Sequence, residues 1–173
     1  MTGRTLRVQR RLVAMQGSTE TSVQIPPRGT HGANFPRMPG PLMRLINLTM
    51  FRFYRNRPFQ NANVLLLTTT GTRSGQQRQS TVAYFRESDD AWLIVGSKGG
   101  AATHPSWFFN LAKHPDKVWV EMGSKKMKVR PVTLSGAERA QAWQRITRQS
   151  PGFAAYETKT DREIPVIRLT PER

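Results

Sequence analysis

The amino-acid sequence predicts a mainly β (α+β) fold, in which a small antiparallel barrel carries helices on its outside. Three observations support this prediction. The 173 residues suffice for one domain, and their 37% hydrophobic and 22% charged content is close to the average of globular proteins. Short apolar runs, with glycine, proline or aspartate between them, follow one another in the order β-β-β-α-β-β-α-β.

Residues 1–40 differ from the rest of the chain. They show no sustained periodicity and hold prolines among glycine, serine and threonine. A composition of this kind buries too little apolar surface to offset the entropy cost of ordering the chain. We therefore predict a flexible basic arm over residues 1–40 and a single domain over residues 41–173.

The first element of that domain is a predicted basic amphipathic helix over residues 41–57, which begins at Pro41 and ends before Pro58. Apolar residues recur at helical spacing on one face, and arginines gather on the opposite face. The two sets are Leu42, Ile46, Met50 and Phe53, and Arg44, Arg52 and Arg55. Such a helix packs its apolar face on the parent domain or lies on an anionic membrane. Packing is commoner in soluble proteins, so we predict it ahead of membrane contact.

Three strands on short turns follow the helix and predict an antiparallel meander. Residues 64–70 are an apolar, β-branched run typical of a buried strand, and further strands are predicted over 78–87 and 91–96. A short helix over 105–111 comes next. Its apolar side carries Trp107, Phe108 and Leu111.

A hairpin, a helix and a last strand complete the predicted fold. They cover residues 117–134, 135–149 and 164–169. The second strand of the hairpin is expected to break at Pro131. Ser135 and Glu138 have the spacing of a capping box, which opens the helix. The residues of this helix that face inward are Ala142, Trp143 and Ile146.

The net charge of +16 is divided between two parts of the chain. Residues 1–60 contribute +9, with arginine as their only basic residue, and residues 61–173 contribute +7. A cationic surface attracts nucleic-acid phosphate, anionic lipid or a small polyanionic ligand. Nucleic acid ranks last among these partners, because no basic and aromatic motif of the RNP1 type occurs.

Several kinds of chemistry are excluded or disfavoured by the sequence. Without cysteine, the chain has no disulfide, thiolate zinc site, iron–sulfur cluster or cysteine nucleophile. The histidines His31, His104 and His114 are scattered, so no metal site is predicted. No nucleophile elbow, Walker A motif or dinucleotide fingerprint occurs. No apolar run approaches the ~18 residues of a membrane span, and we predict a cytoplasmic protein.

Two glycine-bearing turns at predicted strand ends combine a cation with hydroxyl groups. One is Thr72–Gly75 with Arg78 beyond it, and the other is Ser97–Gly100. Glycine lets backbone N–H groups face an anion, and hydroxyls and a guanidinium add charge-assisted hydrogen bonds. Either turn alone is also typical of an ordinary hairpin. Two such turns beside the aromatic residues 107–109 favour a flat, phosphorylated ligand in a cleft, although the same aromatic residues also suit a core.

At these residues the sequence resembles the deazaflavin-dependent nitroreductases, a family of split β-barrel proteins that use coenzyme F420 and are related in fold to FMN-binding split barrels. The match runs over most of residues 41–171 and is specific as a combination of motifs. Its densest parts are Leu65–Gly75, Gly96–Gly100, His104–Leu111 and Thr160–Pro165.

The resemblance implies an oxidoreductase that binds reduced coenzyme F420, with FMN as the alternative cofactor, and transfers hydride to an electrophilic acceptor such as a quinone, enone or nitro compound. A phosphate and an oligoglutamate tail on a flat ring require a basic cleft. The residues implied for the phosphate and tail are Thr72, Arg73, Ser74 and Arg78. Those implied for the ring are Gln79, Ser80, Thr81, Val82 and Ala83. Those implied for the other side of the phosphate are Gly96, Ser97 and Lys98, with Trp107 and Asn110 nearby.

The substrate side departs from the family pattern. Better-known members carry Asn-Pro-Leu-Tyr where this chain reads Ser80–Ala83, and several tyrosines where it has Phe153 and Tyr156. Tyr156 is therefore the predicted proton donor or substrate-orienting residue, and a peripheral core position is the alternative. The cofactor supplies the hydride chemistry, so no catalytic dyad is needed.

Two other functions fit the sequence. A flavin or deazaflavin carrier would bind the cofactor without turnover. A basic lipid-binding or nucleic-acid-binding module would show steep salt dependence. The Arg-rich helix allows peripheral contact with the inner face of the membrane, which would suit an enzyme with apolar substrates.

Overall fold

The computed structural model describes residues 22–36 and 38–172, and in this part of the chain six antiparallel strands close into a barrel. The strands are β1 Asn63–Thr70, β2 Gln77–Ser88, β3 Ala91–Val95, β4 Trp119–Met122, β5 Lys125–Thr133 and β6 Val166–Pro171. They pair in the order β1-β2-β3-β6-β5-β4, and pairing of β1 with β4 closes the barrel. The predicted fold class and the predicted order of strands along the chain are confirmed.

Among the described residues, four α-helices and two single 3-10 turns accompany the strands. The helices are α1 Gly40–Tyr54, α2 Ser106–Lys113, α3 Gly136–Gln149 and α4 Ala154–Glu157. The 3-10 turns are Lys98–Gly100 and Pro151–Phe153. Each predicted helix is present, within three residues at either end.

The barrel interior is filled by alternate residues of its strands. Leu65 and Leu67 point inward from β1 and pack with Ile94, Val120 and Ile167 from three other strands. Phe108 and Leu111 of α2 belong to the same cluster and are completely buried. The prediction for the apolar side of the short helix is therefore confirmed.

The outer faces of the barrel are covered by helices. Val64 and Leu66 of β1 pack under Phe51 of α1, which explains why the four consecutive residues 64–67 of β1 are all apolar. Phe85 and Leu93 pack under α3. The residues of α3 in that cluster are the predicted Ala142, Trp143 and Ile146.

Helix α1 docks on the barrel through a different face from the predicted one. Asn47 and Phe51 face the barrel, and Asn47 accepts a hydrogen bond from Thr81 N at 3.1 Å while its carbonyl accepts one from Thr81 Oγ1 at 2.6 Å. Two of the four residues of the predicted docking face are exposed instead, Leu42 by 47% and Phe53 by 57%, whereas Ile46 and Met50 are half-buried. The observed docking face carries Asn47, which accepts the hydrogen bonds of Thr81. This face is favoured because a buried polar group without a partner is costly.

Three local predictions need correction. Ser135 makes no side-chain capping hydrogen bond, because the helix begins instead with Gly136 in the left-handed region at φ +53°. Helix α1 ends at Tyr54 and not at residue 57. Strand β5 continues through Pro131. The Val129 N–H donates to Val118 O, and the nitrogen of Pro131 faces the same side of β5. Pro131 lies beyond the part of β5 that pairs with β4, so no backbone N–H donor is needed there.

Part of the predicted flexible arm contacts the barrel. We call residues 25–35 the strap. Gly29 N donates to Ala102 O and Ala33 N to Gly100 O, each at 2.9 Å. The prediction of a flexible arm does not hold for the strap, because backbone hydrogen bonds hold it in place despite its low apolar content. Residues 1–21 of the predicted arm lie outside the described residues.

Glu87, near the end of β2, joins two arginines. Its carboxylate accepts hydrogen bonds from Arg168 Nη2 at 2.8 Å and from Arg168 Nε, and Arg145 Nη2 lies 3.5 Å away. The hydrogen bond from Arg168 lowers the pKa of Glu87 from its ordinary value of 4.5. This network ties β2 to β6 and α3.

We expect Glu87→Gln to lower the free energy of unfolding at pH 7 by about 1–3 kcal/mol. Because the folded-state pKa is lowered, the stabilisation is fully present above the ordinary pKa and is lost as the pH falls through the lowered value. The difference in melting temperature between wild type and variant should therefore shrink below about pH 5. The control is Asp89→Asn, which alters only an exposed pair with Arg86. A difference that stays constant down to the acid transition would contradict the prediction.

Candidate functional site

A cleft of about 1600 Å³ lies between α1, the turn after β1 and α2. It brings together eight of the residues predicted to bind the cofactor. They are Thr72, Arg73, Ser74, Arg78, Gln79, Ser80, Trp107 and Asn110. The cleft therefore contains the first of the two predicted anion-binding turns and the start of β2.

The turn between β1 and β2 is closed by backbone hydrogen bonds. Gly71 N donates to Gln76 O at 2.8 Å, and Gly75 N donates to Gly71 O at 2.9 Å. Gly75 has φ +66°, a conformation that favours glycine. Arg73 and Arg78 are exposed at the cleft, and in the described part of the chain neither has a carboxylate within 4 Å. Both guanidinium groups are available to an anionic ligand.

Asn110 of α2 holds this turn in place. Its buried amide accepts a hydrogen bond from Thr72 N at 3.2 Å and donates one to Thr69 Oγ1 at 3.0 Å. Lys113, one turn further along α2, donates from Nζ to Thr72 O at 3.3 Å. Asn110 thus joins α2 to the end of β1, and its side chain positions Thr72.

Helix α1 contributes residues that the sequence analysis missed. Arg44 and Asn47 line the cleft together with the apolar Met43 and Leu45. Arg44, Asn47 and Phe51 have the helical spacing of one face, which was the available signal, but the predicted basic face included only Arg44 of these three. Lys113 and Phe109 of α2 and Ile25 of the strap also line the cleft.

The cleft is cationic. Arg44, Arg73, Arg78 and Lys113 line it, and none of the described residues that line it is aspartate or glutamate. Cations without intervening acidic groups attract and hold anions. A phosphate and a chain of carboxylates fit this set of donors.

The second predicted turn does not line this cleft. Lys98 Nζ donates to Thr103 Oγ1 at 2.7 Å, and the carbonyls of Gly96 and Ser97 accept hydrogen bonds from Arg162. The middle of β2 is also occupied within the protein. Thr81 bonds Asn47, Val82 packs in the barrel interior, and Ala83 packs against the α3 cluster.

The structure places the predicted substrate residues outside the cleft as well. Phe153 is buried against Phe85, with ring centroids 5.5 Å apart. Tyr156 packs edge-on against Phe153 at 5.5 Å, and its hydroxyl lies 3.4 Å from the side-chain amide of Gln60. In this arrangement Tyr156 has the surroundings of a peripheral core residue, which is the stated alternative to a proton donor or substrate-orienting residue.

His104 is buried and neutral beside a cation. Burial and the charge of Arg162 lower its pKa. Arg162 Nη1 lies 3.2 Å from His104 Nδ1 and can only donate, so Nδ1 accepts and Nε2 donates to Pro26 O at 2.8 Å. Across the described residues, no group of three metal-ligating side chains occurs. Within the same part of the chain, no helix is long and apolar enough to cross a membrane.

A closed antiparallel barrel with a basic cleft at the end of one strand pair defines a cofactor-binding protein of the split-barrel class. Comparison with known proteins identifies the family. Residues 50–171 match the family model described as F420H(2)-dependent quinone reductase, and the chain belongs to this family. The resemblance found in the sequence is thereby confirmed, together with the predicted enzyme class and its F420 cofactor.

Individual relatives agree with this assignment. The F420H(2)-dependent quinone reductase Rv1261c of Mycobacterium tuberculosis is 38% identical over 109 residues, which cover 61% of this chain and 72% of the relative. The putative F420H(2)-dependent quinone reductase Rv3178 of the same organism is 34% identical over 107 residues, covering 62% and 88%. Among solved structures, the F420-H2 dependent reductase FDR-A superposes with a TM-score of 0.55 at 38% identity, covering 61% of this chain and 92% of that one. Another, described as a domain-swapped dimer, gives 0.57 at 32% identity, covering 75% and 98%.

Proposed function

We propose that this protein reduces quinones with reduced coenzyme F420 and binds the anionic part of the cofactor in the cleft between α1 and α2. The observation that supports the site is the set of four cations without an acidic lining residue. Arg73 and Arg78 are the proposed guanidinium partners of the phosphate and carboxylates, and Arg44 and Lys113 extend the cationic surface. When bound, the reduced deazaflavin supplies the hydride.

We place the acceptor at the apolar side of the same cleft. Met43, Leu45, Phe109 and Ile25 line it, and these side chains exclude water from a flat organic molecule. Enone and nitro acceptors share the electron-poor character of a quinone and fit the same surface. The hydroxyl of Tyr156 is bonded to Gln60 and lies away from this surface, so we do not assign Tyr156 a role in proton transfer.

The direct test is to mix the purified protein with reduced F420 and follow the appearance of oxidised cofactor after addition of menadione. We expect rapid oxidation that depends on both protein and quinone. Binding of the cofactor without turnover of any quinone would instead identify a carrier. A parallel titration with FMN, which lacks the oligoglutamate tail, should show weaker binding if the four cations hold that tail.

We further propose that α1 rests on an anionic membrane through its outward face. Leu42 and Phe53 are exposed there, by 47% and 57%. Arg52, Arg55 and Arg57 are exposed near the same helix end, and no acidic residue occurs between residues 21 and 86. An apolar face flanked by arginines matches the chemistry of an anionic bilayer surface. Apolar quinones concentrate in the bilayer, so this contact would bring the cleft to its acceptor.

A further inference from the structure

Arg162 is a buried cation whose partners in the described part of the chain are all uncharged. Arg162 belongs to the Thr160–Pro165 motif, and it is 5% exposed. Arg162 Nε donates to Ala101 O at 2.7 Å, and Nη2 donates to Gly96 O at 2.9 Å and Ser97 O at 2.7 Å. Nη1 faces the neutral His104. Buried cations are rare unless they are paired, so an arginine that bonds only neutral groups is unusual.

The turn that Arg162 contacts has an unfavourable backbone conformation. Lys98, Gly99 and Gly100 all have positive φ, of +44°, +60° and +81°. Lys98 has a Cβ and pays a steric cost there, which the surrounding structure must offset. Three carbonyls of the segment Gly96–Ala101 converge on one guanidinium, which supplies donors in a fixed plane. We call this segment the Arg162 turn.

The Arg162 turn lies beside the strand that lines the cleft. Strands β2 and β3 pair Tyr84 with Ile94, so the Arg162 turn begins directly after the part of β3 that lies beside β2. Ser80, four residues before Tyr84 on β2, lines the cleft. The bond from Arg162 to His104 also fixes the chain just before α2, whose Ser106, Trp107 and Asn110 line the cleft. One guanidinium therefore connects the turn after β3 with the start of α2.

The strap supports the Arg162 turn from its other side. Ala33 N donates to Gly100 O at 2.9 Å, and the ring of Phe35 lies against Gly99, so close that a Cβ there would be 2.6 Å from Phe35 Cζ. Asp161, the neighbour of Arg162, accepts hydrogen bonds from Thr30 N at 2.9 Å and Thr30 Oγ1 at 2.6 Å. These bonds lower the pKa of Asp161, so it stays ionised at neutral pH.

We propose that Arg162 is a positioning residue for cofactor binding: it fixes the Arg162 turn and the start of α2 relative to the cleft, while Asp161 holds the strap that closes over the turn. Neither residue lines the cleft. The identity of the ligand rests on the proposed function, whereas the positioning of the turn does not. In this proposal the Thr160–Pro165 motif acts through two adjacent side chains: Arg162 points into the protein, and Asp161 points toward the strap.

The test compares Arg162→Met, Asp161→Asn and a control, Arg148→Met, which removes an exposed arginine from α3. We expect Arg162→Met to weaken binding of F420, measured by fluorescence titration, by about 10-fold or more, and Asp161→Asn to weaken it by about 3-fold. Arg148→Met should match wild type. Amide hydrogen exchange should become faster within residues 96–101 in Arg162→Met and within residues 29–33 and 96–101 in Asp161→Asn.

These readouts separate positioning from folding and from the proposed function. Arg162→Met that keeps a cooperative melting transition and binds F420 as wild type does would overturn the proposal. If Arg162→Met fails to fold, Asp161→Asn decides, because its carboxylate lies at the surface: unchanged affinity and unchanged exchange at residues 96–101 would overturn it. If wild type itself binds no F420, the proposed function fails, and the exchange data alone decide whether Arg162 positions the turn.

Discussion

Replacing Arg73 and Arg78 together by alanine is expected to weaken the binding of F420 by about 100-fold or more. A hydrogen bond to a charged group contributes about 1.5–3 kcal/mol, and the lower figure applies in an open cleft, so two lost arginines cost about 3 kcal/mol. The two guanidinium groups flank the turn that Asn110 holds, and neither has a carboxylate partner in the part of the chain that the structure describes. Fluorescence titration of the purified variant gives the affinity.

The matched control removes two arginines from elsewhere on the surface. Arg86→Ala with Arg148→Ala lowers the net charge by the same amount, from +16 to +14, and neither residue lines the cleft. We expect this control to bind F420 within a factor of about 3 of wild type, since surface charges outside the site act mainly through screened steering. Equal losses in the two double variants would mean that general charge, and not this cleft, attracts the cofactor.

The double substitution of Arg73 and Arg78 should also affect one kinetic constant more than the other. Arg73 and Arg78 are proposed to bind the part of the cofactor that does not react, so their removal should raise KM for the cofactor and leave kcat at saturation little changed. From the sequence alone, Lys98 is the residue that we would replace together with Arg73 in this experiment. Its bond to Thr103 and its absence from the cleft lining make Arg78 the better choice.

Replacing Leu42 and Phe53 together by glutamine is expected to weaken binding to anionic vesicles by about 30-fold. These two side chains are 47% and 57% exposed on the outward face of α1, and neither lines the cleft. Burying the exposed part of a leucine or phenylalanine in a bilayer contributes about 1 kcal/mol or slightly more for each. Cosedimentation with vesicles of phosphatidylglycerol and phosphatidylcholine measures the affinity, and wild-type binding should weaken with salt because arginines take part.

Two controls distinguish a membrane from other occupants of this face. Trp119→Gln changes an exposed apolar residue on β4, outside α1, and should leave vesicle binding unchanged. Sedimentation of the vesicle-free protein shows whether a second copy covers α1 instead. A wild-type dimer that the double variant disrupts, without binding to anionic vesicles, would contradict the membrane proposal.

The strands of this protein follow closely from its sequence. The run from Val64 to Thr70 and the alternation in β2 and β5 predict strands to within two or three residues at most ends, because side-chain periodicity is a local property. The position of the first turn, Thr72–Gly75, was predictable for the same reason, since its residues are contiguous, although Asn110 and Lys113 of α2 hold Thr72 in place.

The differences between the expected and the observed positions share one physical cause. Apolar spacing predicted that α1 docks through Leu42 and Phe53, but the barrel presents Thr81, whose polar groups are satisfied by Asn47 on another face. The Ser97–Gly100 turn carries the same signals as the first turn, yet its carbonyls are drawn toward Arg162, more than sixty residues away in sequence. No local pattern reports a partner at that separation.

By itself, the sequence determined the barrel class, the order of its elements, the family and the position of the turn Thr72–Gly75, because each depends on local periodicity or on contiguous motifs. Only the tertiary structure decided which face of α1 points outward, which of two similar turns lines the cleft, and which groups surround Arg162 in the Thr160–Pro165 motif. These depend on polar groups from distant segments that must find partners once they are buried, and that requirement is met only when the barrel has closed.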